Sequence, residues 1–455
     1  MILPPARSPH RLPHRLWAVV LSAVLLVLVS AVPAAADLRI DITRGNVEPL
    51  VIAIVPFEGS TPETSRIGGE LAKVISADLE SSGLFRPLDP NAFLQNRVAM
   101  DTPPTFADWR LLNAPALVHG RVSIADDGRL KVEFRLWDVM SEQQLAGLAY
   151  FAVPSNWRRI GHIIADAIYK RLTGEDGYFD TRIAYVAESG PQTRRVKRLA
   201  IMDQDGANHR YLTEGSDLVL TPRFSPTLQE LAYLGFSQGL SRVFIRSLET
   251  NRSEMVGSFP GMTFSPRFSP DGQKLVLSMA IDGNTDIYVY DLHARTARRL
   301  TNNAAIDTSP SYSPDGRQIV FNSDRGGSQQ LYVMDAEGGS DARRISFGQG
   351  RYGSPVWSPR GDLIAFTRIN NGRFAIGVMS PDGSGERIVA EGYDVEEPTW
   401  APNGRVLAFF RKEPVDANGG GGRSRLFSVD VMGRNEREIP TPGDASDPAW
   451  SPINP

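Results

Sequence analysis

The chain has 455 residues, 41% hydrophobic and 22% charged, with 41 glycines, 33 prolines and no cysteine. That is apolar material for one large core or two to three ordinary ones, in a composition that excludes wholesale disorder and a polytopic membrane fold. Zero cysteine rules out disulfide scaffolds, thiol nucleophiles, Cys-ligated zinc and lipid attachment through an N-terminal cysteine, and 49 basic against 52 acidic residues argue against a nucleic-acid binder.

Arg7, Arg11 and Arg15 precede every acidic residue, and an apolar run over residues 16–32 leads into Pro33-Ala34-Ala35-Ala36. A basic start, an apolar stretch and a small-residue site predict an export signal over residues 1–36, cut between Ala36 and Asp37. The alternative is a retained anchor, but 17 residues make about 25 Å of helix against about 30 Å of hydrocarbon. Cleavage would leave 46 basic and 52 acidic residues, net −6, in a soluble chain expected in the periplasm with no remaining span.

Asp37, Leu38, Arg39, Ile40, Asp41, Ile42 and Thr43 alternate apolar and polar before Gly45. Such a segment can add as a strand to a partner or dock on its own domain, and pattern alone favours docking at home. A small α/β domain is expected over residues 37–175. Residues 51–57 read as a buried strand. Ser60, Pro62 and Glu63 signal a helix start, with Ile67, Leu71, Val74, Ile75 and Leu79 on one face. Residues 116–124 and 130–136 flank Asp126-Asp127-Gly128 as a hairpin. A second helix gathers Ile160, Ile163, Ile164, Ala167, Ile168 and Leu172 and ends near Gly174.

From residue 176 the chain repeats. Pro-x-aromatic-Ser/Ala-Pro occurs six times, at Pro222, Pro266, Pro310, Pro355, Pro398 and Pro448, with second prolines 44, 44, 45, 43 and 50 residues apart. A tight turn such as Asp271-Gly272, Asp315-Gly316 or Asn403-Gly404 follows, then a short apolar strand, an alternating strand and a last one such as Arg298-Arg299-Leu300-Thr301. Four strands per unit of about 44 residues predict propeller blades. Proline cannot donate to a ladder, so the motif belongs on the innermost edge strand facing the channel. The last copy has no sequel, whereas residues 182–186 and 198–203 look like second and third strands lacking a first. The fold class is therefore an α+β N-terminal domain followed by an all-β six-bladed β-propeller closed by the C-terminal strand. The long spacing is a loop insertion over residues 413–425 containing Gly419 to Gly422.

Catalytic signals are decoys. Gly235-Phe236-Ser237-Gln238-Gly239 matches a nucleophile elbow but falls in a hairpin with no helix after it. Asp282-Gly283-Asn284-Thr285-Asp286 imitates a calcium loop, but Ile287 replaces the required glycine and His293 the final glutamate. His119, His162, His209 and His293 show no metal-ligand spacing, and His162 reads as a satisfied packing histidine near an apolar helix face. No phosphate or dinucleotide loop is present. The expectation is a non-enzyme with no cofactor and no metal.

The residues now carry a resemblance. Residues 37–43, Ile54-Val55-Pro56-Phe57, Ile164-Ala165-Asp166-Ala167-Ile168-Tyr169 with Leu172-Thr173-Gly174, Thr181 to Val186, Phe268-Ser269-Pro270-Asp271-Gly272 and the terminal Pro448-Ala449-Trp450-Ser451-Pro452 together resemble the TolB family of the Tol–Pal cell-envelope system. The resemblance covers essentially the whole exported chain. It implies a monomeric, noncatalytic adaptor that binds the peptidoglycan-associated lipoprotein Pal at one channel mouth and TolA through residues 37–43. It further implies a role in outer-membrane integrity and constriction at division, with other outer-membrane lipoproteins and colicins as further partners. This shifts the balance for residues 37–43 towards strand addition to a partner. Loops entering the innermost strands surround one mouth, which makes Met262, Thr263, Phe264, Asp307, Thr308, Arg351, Tyr352 and Glu396 the candidate Pal contacts. By motif register Met262 and Thr308 fall at positions the family uses, although Met262 stands where a polar histidine is typical. Two alternatives remain open: a propeller gating a peptidase on a separate chain, and a propeller binding a small ligand or cell-wall glycan.

Overall fold

The structure is a computed structural model that describes residues 38–41, 48–95, 97–191, 194–237, 239–257, 259–339, 341–415 and 421–454. Contacts divide the chain into two compact units, Met1–Leu38 and Arg39–Pro455, and only Leu38 of the first is described. Among the described residues, no helix is long and apolar enough to cross a membrane.

The second unit begins with an α/β domain. Its elements in chain order are β1 (Leu50–Ile54), β2 (Glu58–Gly59), α1 (Pro62–Ser81), β3 (Phe85–Pro87), α2 (Phe106–Leu111), β4 (Ala116–Ile124), β5 (Leu130–Asp138), β6 (Gln143–Ala152) and α3 (Trp157–Thr173). The sheet runs β3-β1-β4-β5-β6 with β2 beside β4. It is parallel around β1 and antiparallel from β4 to β6, so it is mixed. Helix α1 starts one residue later than Ser60 would place it. Thr61 is the cap, its hydroxyl accepting the Thr64 N–H at 3.2 Å while the Thr64 hydroxyl accepts the Thr61 N–H at 2.9 Å. Helix α3 ends on Gly174 at φ 81°, a left-handed conformation that glycine adopts at no steric cost.

Six four-stranded antiparallel blades follow. Blade 1 opens on Val219–Phe224, blade 2 on Met262–Phe268, blade 3 on Asp307–Tyr312, blade 4 on Arg351–Trp357 and blade 5 on Asp394–Trp400. Blade 6 joins Asp444–Trp450 to Arg182–Ser189, Val196–Asp203 and Arg210–Tyr211, so the C-terminus supplies the innermost strand of the first-made blade. Each repeated motif lies on an innermost strand, which pairs on one side only. Apolar clusters fill the space between neighbouring blades, such as Trp400, Leu407 and Phe409 against Val356, Ile376 and Val378. The motif's aromatic ring seals this joint: Trp400 Nε1 donates to the Val356 carbonyl of the preceding blade at 3.0 Å. Its serine holds the turn, as Ser269 Oγ donates to Asp271 at 2.5 Å and accepts the Lys274 N–H at 2.9 Å.

One repeated feature is not legible from the motif. Every innermost strand carries a register shift immediately before its proline. The residue there has positive φ although it is not glycine: Thr221, Ser265, Ser309, Ser354, Glu397 and Asp447, all between 46° and 55°. A bulge leaves one residue unpaired and turns the strand, and here it aims two successive side chains at the lumen.

Candidate partner-binding site at the channel mouth

The α/β domain packs on one face of the propeller. Glu175 pairs with Arg360 and Arg405, Asn403 donates to the Asp176 carbonyl at 3.2 Å, and Asn435 to the Ser81 carbonyl at 2.6 Å. All four propeller residues lie in turns at the ends of the innermost strands or between the third and fourth strands. The starts of the innermost strands therefore ring the opposite mouth, which that domain leaves open.

This rim is apolar and exposed. Leu218, Met262 and Ile306 head the innermost strands of three consecutive blades, with Phe347 and Tyr393 in the loops entering the next two. Their exposure runs from 38% for Met262 to 71% for Phe347. Five large apolar side chains gathered around one opening mark an interaction surface rather than scattered surface residues. Arg351 is exposed beside them, and Phe264 and Thr308 are half-buried on the lumen wall, where Asn322 Nδ2 donates to Thr308 Oγ1 at 2.6 Å.

Three of the expected contact residues are placed elsewhere. Thr263, Asp307 and Tyr352 are fully buried. Thr263 exchanges hydrogen bonds with Ser241, Asp307 holds Arg325 at 2.9 and 3.0 Å, and the Tyr352 hydroxyl donates to Glu386 at 2.8 Å. Strand alternation is the reason: the side chain one residue into the strand points between blades, not into the lumen. These three shape the rim and do not present their side chains to a partner.

Deeper in the lumen lies a charge cluster that the motif's variable positions hide. Arg223 of blade 1 donates to Glu397 Oε2 of blade 5 at 2.6 Å, and Ser354 Oγ of blade 4 donates to Glu397 Oε1 at 2.9 Å. Blades 1 and 5 are not neighbours, so this pair spans the channel. Burial works to raise the Glu397 carboxyl, but Arg223, Arg267 and its hydrogen bonds outweigh that and hold it below its usual value. Glu396 has no such partner, and burial followed by Asp394, Glu397 and Asp447 pushes its carboxyl up to about 7. Burial and then Glu397 push Asp447 up to about 6. Arg267 points at the same cluster, where burial and then Arg223 pull its guanidinium pKa down while Glu397 opposes them. The sequence signal was there: charged residues at lumen-facing positions that carry Ser, Thr, Val or Ala in other copies.

At the N-terminal segment only Leu38 to Asp41 are described, and Ala36, Asp37, Ile42 and Thr43 lie outside the described residues. Arg39 and Asp41 are exposed, whereas Ile40 is buried and its N–H donates to the Leu172 carbonyl of α3 at 2.7 Å. These residues form no strand here and dock at home.

Residues 169–454 match the family model of the TolB beta propeller domain, and residues 38–145 that of the TolB amino-terminal domain. The Tol-Pal system protein TolB of Paramagnetospirillum magneticum is 60% identical over 432 residues, 95% of this chain and 96% of that one. The chain belongs to the TolB family. The crystal structure of TolB from Acinetobacter baumannii superposes with a TM-score of 0.78 at 30% identity, covering 91% of this chain and 99% of that one. Membership makes the chain a component of the Tol–Pal system of the cell envelope and accounts for an α/β domain followed by a six-bladed propeller.

Proposed function

We propose that the chain, cut after Ala36 and dividing into residues 37–175 and 176–455, is a noncatalytic periplasmic adaptor. It binds Pal at the open propeller mouth and TolA through residues 37–43, and through them supports outer-membrane integrity and constriction at division. The observation that carries this reading is the apolar rim of Leu218, Met262, Ile306, Phe347 and Tyr393 on the mouth facing away from the α/β domain. Exposed aromatic and aliphatic anchors around a concave opening, with polar groups below them, suit a protein ligand whose loop or helix end enters the channel. Of the expected contacts, Met262, Phe264, Thr308, Arg351 and Glu396 remain available to such a ligand, and Met262 supplies apolar surface rather than a hydrogen bond.

The rim is tested by Ile306→Asp. Because Ile306 is 52% exposed, its melting temperature is expected to stay within a degree or two of the parent's. Binding of the soluble Pal domain is expected to weaken by more than about tenfold, since a desolvated charge at an apolar contact costs well over 1 kcal/mol. Unchanged binding would remove the rim from the contact surface.

A further inference from the structure

The lumen holds more hydrogen-bond donors than its own acceptors pair. In each blade the residue between the motif's proline and its aromatic faces the channel, because the aromatic beside it turns between blades. Around the ring these residues are Arg223, Arg267, Ser311, Val356, Thr399 and Ala449. None is a carboxylate, and the two guanidiniums stand on neighbouring blades. They follow the rim residues Leu218 and Met262 by five positions, which places them roughly 15 Å into the channel at about 3.3 Å per residue.

Arg267 is unpaired. Among the described residues no hydrogen bond or ion pair reaches its guanidinium, although burial strips it of hydration. A guanidinium keeps its charge in proteins, so this position carries a fixed positive charge and a fork of unused donors. Arg223 adds to the excess. It is 7% exposed and donates to the Pro222 carbonyl at 2.8 Å and to Glu397 at 2.6 Å, which leaves its buried Nε without an acceptor. The Ser311 and Thr399 hydroxyls each accept a tryptophan N–H of the next blade at 3.2 Å, so their own protons are free to donate. Unpaired buried donors are costly, and adjacent guanidiniums repel each other. An anion that accepts from both blades relieves both costs.

The carboxylates stand across the channel. Glu396 and Glu397 belong to blade 5 and Asp447 to blade 6, and of these Glu397 alone bears on Arg267. Glu397 is already held by Arg223 and Ser354, so it offsets one guanidinium and leaves the other. Asp394, Glu397 and Asp447 act on Glu396, and Glu397, Lys197 and Arg223 on Asp447, which titrate at about 7 and about 6. The two guanidiniums and three carboxylates sum to −1 when all are ionised and to +1 once Glu396 and Asp447 are protonated. The second state favours an anion.

We propose that this ring binds one small tetrahedral oxyanion of the sulfate or phosphate type. Arg267 supplies a fork of N–H donors, Arg223 its Nε–H, and Ser311 a hydroxyl from the third blade. A guanidinium fork matches two oxygens of such an ion, and donors arriving from three blades suit a tetrahedral acceptor better than a flat carboxylate. The bound ion ties blades 1, 2 and 3 together below the mouth.

The test exchanges residues 37–455 into chloride buffer and titrates them by calorimetry with sodium sulfate, whose charge is the same at pH 6 and pH 8. The expected result is one saturable equivalent, bound at least about fivefold more tightly at pH 6, and a melting temperature raised by sulfate. Arg267→Met should weaken sulfate binding at least about tenfold, and in chloride it should melt no lower than the parent because it removes an unpaired charge. If Arg267→Met does not fold, Arg267→Lys decides, because it keeps the charge and loses the fork, and its affinity should fall at least about threefold. Absence of saturable sulfate binding to the parent at pH 6, equal affinity at the two pH values, or equal affinity in the folded variant overturns the proposal.

Discussion

Glu397 and Arg223 show what a single ion pair does in the lumen. Together they bridge two non-adjacent innermost strands whose backbones cannot hydrogen-bond to each other. Glu397→Gln leaves the arginine without its charged partner and is expected to cost about 2–3 kcal/mol by denaturant titration, below the fully buried range because a fifth of the side chain is exposed. Glu396 predicts the opposite sign. Its folded pKa of about 7 lies above the ordinary value of 4.5, so the native state binds the proton more tightly than the unfolded one. Its contribution to stability is therefore full below about pH 4.5 and is lost as pH rises through 7. Glu396→Gln should be more stable than the parent at pH 8 and lose that advantage by pH 4.5. A difference in melting temperature that does not change over that range would contradict this assignment. The sequence shows charges at motif positions that are small or neutral in other copies, but not that they pair, because Arg223 and Glu397 lie 174 residues apart and only closure of the ring brings them together. His162 is the same case. Expected as a satisfied packing residue, it has a hydrogen-bond partner at only one ring nitrogen.

At the scale of elements, those with periodic or shared side-chain chemistry are legible in the sequence and those without it are not. The blades followed from Pro-x-aromatic-Ser/Ala-Pro because proline on an unpaired edge, an aromatic between blades and a serine in the turn each have one structural solution. The bulge before each proline is not legible because the six residues there share no chemistry beyond polarity. In the α/β domain, α1, α3 and the β4–β5 hairpin follow from apolar periodicity and turn signals. Helix α2 has six residues, too few for a period to show, and β6 is an edge strand exposed along most of its length, so neither announces itself. The cap of α1 is a reciprocal pair between Thr61 and Thr64 rather than the serine expected. Thr61→Ala should destabilise by about 1 kcal/mol in denaturant titration, and Ser60→Ala much less.

For the whole molecule, the decisive feature is that the first and last parts of the repeat region share blade 6. Asp444–Trp450 pairs with Arg182–Ser189, and Trp450 Nε1 donates to Thr181 Oγ1 at 2.8 Å. This closure fixes the lumen in which the charged residues of blades 1, 2, 5 and 6 face one another. It also holds the rim opposite the α/β domain. Ile40 docks on α3, the helix whose Arg158 pairs with Asp205 of blade 6, so the N-terminal segment and the propeller touch the same element. The central claim is an adaptor whose mouth binds Pal under the influence of that segment. Its most direct test is calorimetric titration of residues 37–455 with the soluble domain of Pal, with and without residues 37–43. Saturable one-to-one binding whose affinity changes on truncation is the predicted result. A folded chain that binds no Pal in either form would contradict the account, and equal affinity in both forms would contradict the link between segment and mouth.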